Sequence, residues 1–311
     1  MKQTLLSIVI PLYNERQSLK ELVALCERAL RDTPWAREYV FIDDGSRDGS
    51  LDELKSIKKT LKTPMIIIRF RKNMGKSMAL SEGFRAAHGD IIVTIDADLQ
   101  DDPAEIPSLV RKLQKGFDLV VGWRKKRIDH EGKLRLSHVF NSIVASLAHL
   151  PLHDMNCGLK VMRKAVTEEI DVYGELHRYI PVLAASQGFR VTEKVVEHHA
   201  RKYGVSKFGL ERIIRAPFDL MTTLFLTKFR TKPLQVFGPI GLLSITIGII
   251  QLLYLTVLHF MGQSIGRRPL LFMGILFVLF GVQLVSTGLV GELITKANIR
   301  KEKHPVEEII A

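Results

Sequence analysis

The chain has 311 residues, a net charge of +12 and 46 % hydrophobic residues, which suits one large domain or two smaller ones and an anionic partner such as a phosphorylated ligand, a membrane surface or nucleic acid. Its two cysteines, Cys26 and Cys157, exclude a disulfide framework and a cysteine-based zinc site. No signal-peptide pattern opens the sequence, so the catalytic part is expected in a reducing cytoplasm.

Leu5 to Leu12 predicts an apolar strand that breaks at Pro11-Leu12-Tyr13-Asn14-Glu15. Gln17 to Leu30 has helical periodicity, with Leu19, Leu22, Val23, Cys26 and Leu30 on one face. Tyr39 to Ile42 is a second strand ending in Asp43-Asp44-Gly45-Ser46, and Leu51 to Leu61 a Lys-rich amphipathic helix. Met65 to Ile68 is a third strand, followed by Arg69 to Lys76 and a helix from Ser77 to Ala87. Ile91 to Ile95 is the fourth strand and runs straight into Asp96, Asp98, Asp101 and Asp102. Pro103 to Lys115 reads as helix and Leu119 to Gly122 as a fifth strand, ending in Trp123-Arg124. This β-α alternation predicts an α/β fold with a Rossmann-like, mostly parallel sheet and helices on both faces.

Ligands of such sheets bind beyond the carboxyl ends of the strands. Asp96 and Asp98 stand there one residue apart, where two carboxylates repel each other and resist desolvation. A hard divalent cation shared with a substrate phosphate removes that repulsion, so the pair reads as a metal-diphosphate site. Asp101 and Asp102 precede Pro103 and read as helix-capping residues. Other nucleotide folds fail on detail. Pro11 to Arg16 has no glycine for a dinucleotide fingerprint, and Gly75-Lys76-Ser77 lacks the earlier glycine of a phosphate-binding loop, which is Phe70 here. A phosphatase-type Asp-x-Asp would follow an early strand.

Beyond residue 123 comes a basic run, Arg124, Lys125, Lys126, Arg127, Lys133 and Arg135. Leu134 to Leu150 reads as helix, Asp154 to Gly158 as a polar turn, Val166 to Val172 and Ile180 to Ala185 as helices, and Val191 to Val196 as a strand. His198 to Lys207 reads as a basic loop, since adjacent histidines on a strand face opposite ways and do not share a metal. Leu210 to Phe229 is a basic amphipathic segment suited to a membrane interface. Val236 to Phe260 and Leu270 to Gly291 are charge-free runs long enough to span a bilayer. Their short connector makes a hairpin. Arg230, Lys232, Lys296, Arg300, Lys301 and Lys303 outnumber Arg267 and Arg268 and place both ends in the cytoplasm. The domains expected are 1–209 catalytic, 210–235 juxtamembrane, 236–291 transmembrane and 292–311 a basic tail. Nucleic acid is not an expected partner, because aromatic platforms interleaved with Lys and Arg are missing.

Pro11 to Glu15, Asp43 to Ser46, Arg71 to Lys76 and Asp96-Ala97-Asp98-Leu99-Gln100 together resemble inverting glycosyltransferase family 2, whose fold is termed GT-A. Asp154 to Gly158, Arg201 to Lys207 and the two-span tail resemble its polyprenyl-phosphate branch, the dolichol-phosphate mannose synthases and bacterial undecaprenyl-phosphate sugar synthases. A processive synthase is not indicated, since Gln187-Gly188-Phe189-Arg190 is followed by Val191 instead of tryptophan. The resemblance implies a nucleotide-sugar donor, a polyprenyl-phosphate acceptor and Mg²⁺ or Mn²⁺ held by Asp96, Asp98 and Gln100. It implies that Pro11, Tyr13, Glu15, Asp43, Asp44 and Lys76 join Asp96 and Asp98 in binding the nucleotide sugar. Arg124, Lys133, Ser137, Arg201, Ser206 and Lys207 would meet the lipid phosphate, with Asp98, Arg124 and Asp154 in catalytic roles. Lys133 stands where relatives often carry Arg, which loses bidentate geometry. Asp154 is open between positioning the acceptor, sensing the sugar and capping a helix. A catalytically inactive membrane scaffold is the alternative, and a homo-oligomer fits the amphipathic segments. Arg201→Ala and Lys207→Ala are expected to raise the acceptor KM more than the donor KM in steady-state kinetics; unchanged acceptor KM in both refutes their assignment.

Overall fold

The computed structural model describes residues 3–125, 152–200, 202–203, 233–266 and 268–299, the last five of these by backbone only. Lys133, Ser137, Arg201, Ser206 and Lys207 lie outside the described residues, as do the helix expected over 134–150, the amphipathic segment 210–229 and the tail beyond 299. The chain divides into two compact units, an N-terminal α/β unit and a helical hairpin.

The α/β unit runs β1 (Leu5–Leu12), α1 (Arg16–Leu30), β2 (Ala36–Asp43), α2 (Ser50–Thr60), β3 (Met65–Arg69), α3 (Lys76–Ala86), β4 (Ile91–Thr94), a 3-10 turn (Pro103–Glu105), α4 (Ile106–Leu113), β5 (Leu119–Trp123), β6 (Lys160–Arg163), α5 (Lys164–Glu169), a second 3-10 turn (Leu176–Tyr179), α6 (Ile180–Ser186) and β7 (Val191–Val195). Sheet order is β3-β2-β1-β4-β6-β5-β7. The β-branched runs of β1, β2 and β4 are buried on both faces, which is why they read as continuous apolar stretches. As expected, α1 buries Leu19, Leu22, Val23, Cys26 and Leu30.

One strand departs from the expected pattern. Lys160 to Arg163 forms β6, wedged antiparallel between β4 and β5, with Lys160 opposite both Thr94 and Val121. The remaining pairings, β1 with β2 and β4, β2 with β3, and β5 with β7, are parallel. The mouth of the sheet therefore receives the ends of β1, β2, β4 and β5 together with the start of β6. The helix expected over Pro103 to Lys115 is a 3-10 turn followed by a shorter α-helix. Asp102 accepts the Ala104 N–H and Pro103 stands at the first position, a tight start that α4 then relaxes.

In the second unit, α7 (Leu234–Phe260) and α8 (Pro269–Ile299) are both long enough for the hydrocarbon core of a bilayer. Among the described residues, the exposed large hydrophobic side chains outside this hairpin are Met74, Tyr173 and Val195. The two helices meet backbone to backbone. A Cβ on Gly241 would stand 2.7 Å from the Gly281 carbonyl oxygen, and one on Gly248 2.7 Å from that of Gly274. Ser244, between the two α7 glycines, donates to the Phe277 carbonyl at 2.7 Å. Small residues at heptad spacing give van der Waals contact where lipid offers no hydrophobic drive. At one end, the Glu292 carboxylate accepts the Leu234 N–H at 3.4 Å and meets the positive pole of α7. Gly281→Leu is expected to part the helices, at a cost of about 2 kcal/mol. Lower thermal stability in detergent and faster proteolysis within the hairpin would register this, and unchanged values for both would refute the seam.

Candidate functional site

The loops at the mouth are locked by hydrogen bonds their sequences dictate. The Pro11–Glu15 turn bends at Asn14, which has a φ of +53°. Ser46 Oγ accepts the Asn14 N–H at 2.8 Å, and Asn14 Oδ1 accepts the Arg47 N–H at 2.9 Å. Ser50 Oγ accepts the Glu15 N–H. Asp44 accepts the N–H groups of Met74 and Gly75 at 2.6 and 2.9 Å and so draws the 71–75 loop over β2. Burial raises the Asp44 pKa above the usual carboxylate range. The same approach requires Gly45, where a Cβ would lie 2.8 Å from the Lys72 carbonyl carbon. The 11–15 turn and the 43–46 loop are thus tied together at the ends of β1 and β2, which gathers Pro11, Tyr13, Glu15, Asp43 and Asp44 there. Asp43 is fully buried and one oxygen accepts the Ser46 N–H. Its Oδ2 accepts no hydrogen bond among the described residues and has only Arg69 at 3.7 Å.

Gly75, with a φ of +90°, launches α3, and Lys76 at its first position reaches across to both oxygens of Asp96 at 2.5 and 2.7 Å. Burial pushes the Asp96 pKa up, but the Lys76 charge and hydrogen bonds outweigh it and hold the carboxyl below its ordinary value. Leu99 sits in the left-handed region at a φ of +61°, and Asp98 Oδ1 accepts the Gln100 N–H at 3.2 Å, which folds the Asp96–Gln100 turn back on itself.

Asp101 departs from expectation. Asp102 is the cap, whereas Asp101 is buried and turned toward the site. A Cβ placed on Gly158 would lie 2.7 Å from Asp101 Oδ2 and also 2.7 Å from Asp96 Oδ2, so the two carboxylates close on one glycine. Burial, then the charges of Asp96 and Asp98, push the Asp101 pKa up to about 6. Arg124 forms a two-pronged ion pair with Asp154, Nε to Oδ2 at 2.7 Å and Nη2 to Oδ1 at 3.0 Å. Burial alone would lower the Arg124 pKa; the Asp154 pair more than offsets it and holds the guanidinium charged. Asp154 also accepts the Asn156 N–H within a turn, so it caps no helix. The structure thereby unites Lys76, Asp96, Asp98, Arg124 and Asp154.

Two residues here, Lys160 and His177, were not singled out in the sequence, and Asn156 was read only as part of a polar turn. Lys160 is 4 % exposed, donates to the Cys157 carbonyl, and has its pKa lowered to about 8 by burial. His177 is buried, and its ring Nδ1 pairs with Ser77 Oγ at 2.9 Å. Asn156 joins Lys76, Asp96, Lys160 and His177 in lining a small cavity, with Leu80 and Ile180 among its apolar lining. His177 is placed by tertiary packing alone.

Among the described residues no three His, Cys, Asp or Glu side chains converge as a ready metal cage. Magnesium-type sites need only one or two carboxylates plus substrate phosphates. Asp96 and Asp98, with the buried Asp101 close by, fit that requirement in charge and in ligand hardness.

A parallel-rich sheet with acidic and basic groups gathered at its mouth has the architecture of an α/β ligand-binding enzyme. Residues 7–171 match Glycosyl transferase family 2, and residues 232–297 match the GtrB C-terminal hairpin. The chain belongs to glycosyl transferase family 2. It is 35 % identical over 305 residues to the dodecaprenyl-phosphate galacturonate synthase of Rhizobium johnstonii, covering 96 % of this chain and 90 % of that one. It is also 35 % identical over 288 residues to the undecaprenyl-phosphate 4-deoxy-4-formamido-L-arabinose transferase of Pseudomonas syringae pv. syringae, covering 92 % and 84 %. The fold is shared with glucosyl-3-phosphoglycerate synthase from Mycobacterium tuberculosis, solved with Mn²⁺, UDP-glucose and phosphoglyceric acid. There the TM-score is 0.52 at 17 % identity, over 72 % of this chain and 79 % of that one.

A raised carboxyl pKa costs folded stability at any pH where the group must ionise. Asp101 is ionised in folded and unfolded chains above about pH 6, and protonated in both well below pH 4. Asp101→Asn is therefore expected to stabilise the protein in EDTA at pH 7.5, by about 1–3 kcal/mol, with the gain fading toward pH 4. Thermal unfolding at the two pH values checks this; a gain of equal size at both refutes the charge origin.

Proposed function

We propose that this protein transfers a sugar, with inversion, from a UDP- or GDP-linked donor to a polyprenyl phosphate such as undecaprenyl or dolichyl phosphate. The observation that carries the reading is the Asp96–Asp98–Asp101 cluster, met by Lys76 and Arg124 at the mouth of the sheet, in a chain that also carries the apolar α7–α8 hairpin. The names of both curated relatives, each a polyprenyl-phosphate sugar enzyme, support it.

The donor's nucleoside meets the Pro11–Glu15 turn and Asp43, whose buried Oδ2 is available to accept a hydrogen bond from a base or ribose. Asp96 and Asp98, with the Gln100 carboxamide, hold Mg²⁺ or Mn²⁺, which when bound supplies positive charge to the leaving diphosphate. Lys76 is poised between Asp96 and that diphosphate. Arg124, fixed by two hydrogen bonds to Asp154, keeps an oriented charge for phosphate oxygens with little freedom left to lose on binding. Asp154 thus acts through Arg124 as a positioning residue. The nucleophile is a phosphate oxygen. A phosphomonoester has its second pKa near ~6, so it is largely dianionic at neutral pH and needs no strong general base. The chain's task is to bring two anions together, which Lys76, Arg124 and, beyond the described residues, Lys133, Ser137, Arg201, Ser206 and Lys207 serve electrostatically.

The positive-inside pattern supports placing the α/β unit and the C-terminus on the cytoplasmic face of a membrane, with α7 and α8 crossing it. The purified full chain, given a panel of nucleotide sugars with undecaprenyl phosphate and Mg²⁺ or Mn²⁺, is expected to yield a polyprenyl-phosphate sugar by mass spectrometry. Asp98→Ala should cut transfer about 100-fold or more while folding intact. The reading fails if no donor gives product, or if Asp98→Ala retains full activity in EDTA.

A further inference from the structure

Lys160 stands in an expensive place. It opens β6 between Thr94 of β4 and Val121 of β5, almost wholly withdrawn from water. Removing an ammonium group from water costs several kcal/mol unless a counter-charge and hydrogen bonds replace the lost hydration. Among the described residues, Lys160 Nζ donates to one acceptor, the Cys157 carbonyl oxygen, and makes no ion pair. An ammonium carries three N–H groups, so donors remain. The carboxylate on the same cavity wall, Asp96, has both oxygens engaged by Lys76. Two lysines and one carboxylate therefore share a single cavity, and the excess is positive.

An oxyanion entering the cavity would give Lys160 the directly bonded counter-charge that neither Asp96, held by Lys76, nor Asp154, held by Arg124, supplies. Leu80 and Ile180 also line the cavity, and His177 and Asn156 add further hydrogen-bonding groups. Together these groups suit an oxyanion of a donor held at the mouth of the sheet. We infer that Lys160 is a donor-binding residue that takes an oxyanion of the nucleotide sugar, from its diphosphate or from a carboxylate on its sugar. This rests on the transferase reading above and extends it to a residue outside every motif.

Calorimetric binding to the full chain in detergent tests the inference without requiring turnover. The probes are UDP and GDP, each alone, linked to a neutral hexose and linked to a hexuronate. Lys160→Met is expected to weaken binding about 10-fold or more, the value of a charge-assisted hydrogen bond. Lys160→Arg, which keeps the charge, should lose less. Equal weakening of all three forms of a nucleotide assigns the oxyanion to the diphosphate, and weakening confined to the hexuronate form assigns it to the sugar carboxylate. Binding of undecaprenyl phosphate, followed by thermal shift, should be unmoved. Lys160→Met that binds every probe as the parent does overturns the inference and leaves the transferase reading standing. Loss of lipid and nucleotide binding together reduces Lys160 to a structural role and also overturns it. A parent protein that binds none of the probes overturns both.

Discussion

Mutual repulsion among carboxylates at the mouth of a parallel sheet is the constraint on which the rest of the α/β unit depends. Asp96 and Asp101 are brought together over a glycine with no room for a side chain, close to Asp98. Left alone they would protonate or drive the loops apart. Around them stand Lys76 from the first turn of α3, Arg124 from the end of β5 and Lys160 from the start of β6. Each cation comes from a different element, so the charge balance exists only when the sheet is assembled.

That balance also explains the division of labour at the site. Lys76 is bound to the carboxylate it neutralises and lies only 32 % exposed, able to answer a new anion without crossing open solvent. Arg124 is locked in place by Asp154 and offers direction. Among the described residues, the non-glycine residues with positive φ are Asn14 and Leu99, both in the loops that follow β1 and β4. The hairpin follows a separate logic. It gains cohesion from bare backbone contact between glycines, and its outward side chains are free to meet lipid.

Much of this was legible because burial writes itself into runs of residues. The strands around Val9, Phe41 and Val93 are continuous apolar stretches, and the buried face of α1 follows its 3.6-residue period residue for residue. The acidic ends of β2 and β4 and the two apolar spans stood out for the same reason. What was not legible depends on partners distant in sequence. Between its terminal charges β6 has only Val161 and Met162, too little for a periodic signal, and its strand state comes from β4 and β5 on either side. Asp101 and Asp102 look alike before a proline, and only the Ala104 N–H separates the cap from the site residue. Arg124 and Asp154 were each singled out, but no local rule joins residues thirty apart.

The direction of β6 carries a consequence for how the protein diversifies. Because β6 runs antiparallel to β5, the chain leaves the sheet at Arg124 and re-enters at Lys160 on the same rim. The excursion between them therefore begins and ends beside the charged groups at the mouth. A change of length between those two residues need disturb none of the described strand pairings, so this part of the rim can vary while β1, β2 and β4 keep their places.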